Sequence, residues 1–111
     1  MIRPINLVPM KARLFRSIGD EGRLTVLEAL LDGERRVLEL AQDTGQSQST
    51  VSTHLALLHS AGLVSRRQEG RQVVYRLADA TIERLLQAGE DAVLASSAQE
   101  FACMSPCCVE A

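Results

Sequence analysis

The chain has 111 residues, a formal net charge of −2, and 46% hydrophobic but only 3% aromatic residues. That length suits one domain, whose core must be assembled from Leu, Val, Ile and Ala. No apolar run of about 18 residues is present, which excludes a transmembrane helix, and the net acidity argues against a protein that coats nucleic acid indiscriminately.

The first fifteen residues, MIRPINLVPMKARLF, lack an apolar stretch ending in a small-residue cleavage site. The chain is therefore expected to be cytoplasmic and to have no membrane partner. Pro4 and Pro9 predict an irregular arm over residues 1–9. Leu14, Phe15 and Ile18 suit a first helix over 10–18, ended by Gly19. Asp20 can cap a second helix, because its carboxylate accepts from the free amides of the first turn. Leu24, Leu27, Leu30 and Leu31 give that helix a wide apolar stripe, and Gly33 ends it. A third helix is expected over 35–44 with Val37, Leu40 and Ala41 inward. Gly45 suits the left-handed conformation in which a chain leaves a helix.

Ser47 is a good N-cap for a fourth helix that runs to about Ser60 and stops at Gly62. Val51, Leu55 and Leu58 fall at i, i+4 and i+7, so one face is apolar. Gln48, Ser49, Ser52 and Thr53 lie on other faces, and none is charged. They are short hydrogen-bonding side chains, sized to reach base edges in a groove; on an ordinary surface helix the same residues would simply be solvated. Two helices joined by a few residues around a glycine form a helix-turn-helix.

The stretch after that helix favours DNA. Residues 63–68 read as a strand, Glu69-Gly70 as a turn, and residues 71–77 as a second strand. A β-hairpin directly after a helix-turn-helix makes a winged helix. Arg66, Arg67, Arg71 and Arg76 decorate it, and guanidinium holds phosphate oxygens bidentately. Against Glu69 they leave residues 45–77 with a charge of +4 − 1 = +3. Residues 79–111 carry six acids against Arg84, a charge of −5. A closing helix is expected over 80–98, with Ile82, Leu85, Leu86, Gly89 and Val93 in one stripe. That stripe and the first helix suit a homodimer, which would set two reading helices in successive major grooves of double-stranded operator DNA. The expected fold is mainly α with a β-hairpin wing: about five helices, paired through the first and last. The domain spans 10–98, and residues 99–111 form a cysteine-containing tail.

All three cysteines, Cys103, Cys107 and Cys108, lie in that tail, within six residues of one another. An odd count without a secretory segment argues against a structural disulfide framework. Three thiolates can converge on one soft ion. A trigonal sulfur site suits As(III) or Sb(III), then Pb(II) or Hg(II), and Cd(II) with a fourth ligand. Tetrahedral structural zinc needs four ligands. Two other readings stand beside this one: an unused terminal segment, and a thiol pair that senses oxidants or persulfide.

The runs SIGDEGRLTVLEALLDG, VLELAQDTGQSQSTVSTHLALLHSAGLV and RRQEGRQVVYRL resemble the ArsR/SmtB family of winged-helix repressors. The resemblance spans roughly residues 10–95 and implies a homodimeric repressor released from its operator by an inducer. It implies that Gln46 to His54 are the turn and leading part of the recognition helix. Gln48, Ser49, Ser52 and Thr53 would face base edges. Ser47, Thr50 and His54 would contact phosphate or position the helix, His54 equally as a packing residue. Arg66, Arg67 and Arg71 would belong to the wing. Three inducer sites of the family are absent. Arg36 and Leu38 replace one cysteine pair, and Leu57 and Ala61 another. Asp79-Ala80-Thr81, with Ala92 and Ala95, replaces a zinc set.

The sequence thus predicts a repressor that a thiophilic metal or metalloid releases through Cys103, Cys107 and Cys108. A repressor of the same fold answering to thiol oxidation or persulfide is the alternative. A small metal-binding or thiol-transfer protein is the rival from another class. No enzyme and no organic cofactor are expected, because no phosphate loop, acid–base pair or activated nucleophile is legible.

Overall fold

A computed structural model describes residues 6–96. The chain divides after Ala80 into two units. The first unit opens with helix α1, Val8–Ile18. It starts two residues before the expected boundary because Pro9 sits in the first turn, where a missing amide costs nothing. Asn6 Oδ1 accepts from the Val8 amide at 3.0 Å. Helix α2, Glu21–Ala29, is capped by Asp20, which accepts from the Arg23 amide at 3.0 Å as expected. A 3₁₀ turn, Leu30–Asp32, follows and ends at Gly33 with φ 127°. The tighter winding takes Leu31 off the apolar stripe, so it is exposed, while Val26 takes a buried place.

Arg35–Arg36 are strand β1, not the start of the third helix. They pair with Tyr75 and Val74. Helix α3 therefore begins at Val37 and runs Val37–Thr44, its entry fixed by Glu39 Oε1, which accepts from the Arg36 amide at 2.9 Å. Helix α4 is Gln48–Ser60. Strands β2, Val64–Glu69, and β3, Gln72–Leu77, complete an antiparallel sheet of order β1-β3-β2. Glu69 pairs with Gln72, so the loop is Gly70-Arg71, one residue beyond the expected turn. Gly70 has φ 62° and Arg71 does not enter the left-handed region. A positive φ at the first loop residue alone matches the twist of the flanking strands.

Val26, Leu27, Leu40, Val51, Leu55 and Leu58 are wholly buried, with Leu30, Leu63, Val64 and Val74 nearly so. The core is aliphatic, as the composition demanded. The second unit is described by helix α5, Ala80–Ser96. Leu86 is buried, Ile82 and Leu85 half-buried, and Val93 and Leu94 exposed.

Candidate nucleic-acid interface

Two local devices aim α4. Gly45 adopts φ 72° and ψ 14°, and its amide donates to the Ala41 carbonyl, which turns the chain out of α3. Ser47 Oγ then accepts from the Thr50 amide at 3.1 Å and donates to Thr50 Oγ1 at 2.8 Å. Ser47 and Thr50 thus spend their hydroxyls on the cap.

With Val51, Leu55 and Leu58 buried, the rotation of α4 is set. Gln48, Ser49, Ser52 and Thr53 all face out. Thr53 Oγ1 donates back to the Ser49 carbonyl at 3.0 Å, and the Ser47 and Ser49 hydroxyls lie 3.3 Å apart. Among the described residues, no hydrogen bond occupies the side chain of Gln48 or Ser52. These two are exposed polar side chains of α4 whose hydrogen-bonding groups stay open to solvent.

Gln46 and His54 point the other way. Gln46 Nε2 donates to the Gly22 carbonyl at 3.1 Å. A Cβ at Gly22 would lie 2.8 Å from His54 Nε2 and 3.2 Å from Asp20 Oδ2. The imidazole therefore packs in a notch that only glycine leaves open. Gln46 Oε1 and His54 Nδ1 are buried without a hydrogen-bond partner. The Arg23 amide, and behind it the Arg23 guanidinium, hold the Asp20 carboxyl below its ordinary value. His54 meets α2 at this notch. Both residues lock α4 to α2 rather than face outward. Gly22, which sequence reasoning passed over, is the reason they can.

On the wing, Arg67 does not project freely. Its guanidinium donates to both Glu34 oxygens at 2.7 and 3.0 Å and pairs with Glu69 at 3.0 Å. Arg36 also pairs with Glu69, at 3.1 Å. The Arg67 hydrogen bond lowers the Glu34 carboxyl, and Arg36 followed by Arg67 lowers Glu69. The same partners raise Arg67 further above its ordinary value. Glu34–Arg67–Glu69–Arg36 is a clamp that ties the hairpin to the segment before α3. Arg76 Nε donates to Ser65 Oγ at 3.1 Å. Arg66 and Arg71 are exposed and form no ion pair among the described residues.

Cys103, Cys107 and Cys108 lie outside the described residues. Among those described, no group of three His, Cys, Asp or Glu could hold a metal, and no helix is long and apolar enough to cross a membrane.

Residues 20–66 match the family model described as "Bacterial regulatory protein, arsR family". The transcriptional regulator CmtR of Mycobacterium tuberculosis is 41% identical over 99 residues, covering 89% of this chain and 80% of its own. A solution structure of that protein, described as a cadmium metal-sensor, superposes with a TM-score of 0.62 at 45% identity, over 69% of this chain and 80% of that one. A probable mercury resistance operon repressor of Streptomyces lividans is 39% identical over 75 residues, 68% of this chain and 60% of that one. A homodimeric winged helix-turn-helix DNA-binding domain from Mycobacterium bovis superposes with a TM-score of 0.75 at 35% identity, covering 86% of each chain.

Proposed function

This chain belongs to the ArsR family of bacterial transcriptional regulators, and from that premise we propose that it is a homodimeric, cytoplasmic repressor. Operator DNA is its partner, and a thiophilic metal or metalloid ion bound by Cys103, Cys107 and Cys108 releases it. The observation that carries the DNA reading is the outward face of α4. Gln48, Ser49, Ser52 and Thr53 are exposed, uncharged and short, on a helix whose opposite face is wholly buried. Side chains of this kind hydrogen-bond base edges in the major groove. Arg66 and Arg71 on the wing supply guanidinium for backbone phosphate.

Dimerisation is supported by apolar surface. Val8 and Phe15 on α1 are 67% and 54% exposed, and Val93 and Leu94 on α5 are 59% and 53% exposed. Exposed apolar surface of this kind marks an interaction face, and a second copy would cover it.

The inducer reading rests on donor chemistry. Three thiolates without histidine select soft ions, among them As(III), Sb(III), Cd(II), Pb(II) and Hg(II). A cadmium sensor and a mercury-operon repressor among the relatives point the same way. The decisive experiment is anisotropy of the reduced protein on labelled DNA from upstream of its gene, titrated with each ion in turn. Release by at least one soft ion, abolished by replacing the three cysteines with serine, is expected. Release that survives the triple replacement would remove the tail from the mechanism. Release by persulfide or peroxide without metal, reversed by a thiol reductant, would establish the redox alternative.

A further inference from the structure

A cavity of about 230 Å³ is lined by Arg13, Arg16 and Ser17 of α1, Arg23 of α2 and Leu57 of α4. Three guanidinium groups line it and no carboxylate does. None of the three is in an ion pair among the described residues. The nearby Asp20 is already engaged as the cap of α2. Arg23 is held in place, its Nε donating to the Ser17 carbonyl at 2.7 Å and its Nη2 to the Arg16 carbonyl at 3.1 Å. Three like charges around one hollow repel one another unless an anion sits among them.

The position of the hollow identifies the anion. Ser49, Thr53 and Leu57 recur at i, i+4 and i+8 on the exposed side of α4. The surface proposed to read bases therefore runs directly into the arginines. On α1, Val8, Ala12 and Phe15 form the exposed apolar face, and Arg13 and Arg16 fall on its flank. The arginines thus look toward α4 while the apolar face remains for the second copy.

We propose that Arg13 and Arg16, backed by the pinned Arg23, form a phosphate-contact patch that grips the DNA backbone beside the recognition helix. This patch is separate from the wing and rests on the operator-binding reading above. Phosphate contacts position a protein on the duplex and carry no sequence information. The patch therefore contributes affinity and salt sensitivity equally on all sequences.

The test is anisotropy of the full chain and of the Arg13→Gln/Arg16→Gln variant across a salt series. Two labelled duplexes are used, the upstream region and a scrambled sequence of equal length. If each arginine displaces one counterion, the slope of log K against log salt should fall by roughly 0.9 per arginine per protomer. Affinity should drop by the same factor on both duplexes. Lys11→Gln, on another flank of α1, should leave the slope unchanged, and sedimentation should find the double variant still dimeric. An unaltered slope in the double variant, with the unaltered chain binding normally, overturns this proposal alone. Weaker binding accompanied by dissociation into monomers also overturns it, because the arginines would then serve the subunit contact. If the unaltered chain binds neither duplex at low salt, the operator-binding reading falls and this proposal falls with it.

Discussion

The recognition helix and the wing are adjacent in sequence and are held by opposite kinds of force. Helix α4 is seated by Val51, Leu55 and Leu58, each wholly buried. The wing is braced by Glu34, Arg67, Glu69 and Arg36, all of them substantially exposed. Apolar packing sets one orientation and is insensitive to salt, whereas surface ion pairs are screened and individually weak. An element that reads base edges needs the first, and one that follows a flexible phosphate backbone tolerates the second. The sharpest way to break the contrast is Leu55→Ala. A buried Leu-to-Ala change costs about 2–5 kcal/mol, a large share of the roughly 5–15 kcal/mol that holds a small domain together. Urea denaturation should show that loss, and DNA binding should disappear with it. An equal loss from Arg67→Ala would mean that the two elements are seated alike.

The next effect separates reading from gripping. Gln48→Ala and Ser52→Ala should leave stability within about 0.5 kcal/mol, as exposed positions do. Each should cost about 1–3 kcal/mol of discrimination between operator and scrambled DNA if it makes a base contact. Arg66→Gln and Arg71→Gln should instead weaken both duplexes together and flatten the salt dependence. Competition anisotropy on the two sequences distinguishes the patterns. If the arginine variants altered sequence preference and the α4 variants did not, the two roles would be reversed.

Much of this architecture was legible in the chain. The i, i+4, i+7 pattern in α4, Ser47 as its cap and the glycines at 33 and 45 each act within a few residues, and periodicity exposes such signals. The failures share a cause in distance. Strand β1 exists only because Arg35 and Arg36 meet Tyr75 and Val74. Glu34 finds Arg67 across 33 positions. Gln46 and His54 pack toward Gly22 of α2, a long-range contact that no local pattern signals. That glycine is the one hint, and it supports a third prediction. Gly22→Ala gains helix propensity of up to about 1 kcal/mol and loses the notch, so net stability should hardly move. His54 must give way, and α4 with it, so operator affinity should fall while the melting temperature stays put. A variant that bound DNA normally would show that the His54 seat does not govern the reading helix.

The smallest expected effect belongs to the clamp and depends on pH. The folded-state pKa values of Glu34 and Glu69 lie below their ordinary ones because Arg67 and Arg36 favour the charged form. A depressed folded value means that the unfolded chain binds the proton more readily. The stabilisation is therefore complete above the unfolded value, about 4.3 for Glu, and is lost as pH falls through the lower folded value. The cap Asp20 follows the same sign, so acid acts on α2 and on the wing together. Glu34→Gln separates them. Near neutral pH this variant should melt slightly below the parent, and the gap should close as acid removes the charge from Glu34 in the parent as well. A gap that persists below the folded value would assign the loss to packing rather than charge. Hydrogen exchange carries the comparison further, because Val51, Leu55 and Leu58, the buried face of α4, carry no group that titrates. Below the folded pKa values of Glu34 and Glu69, protection factors corrected for the intrinsic pH dependence of amide exchange should fall in β2 and β3 while those of the Val51–Leu58 amides hold. If both fell together, wing and helix would be one cooperative unit and the division of labour between them would not hold.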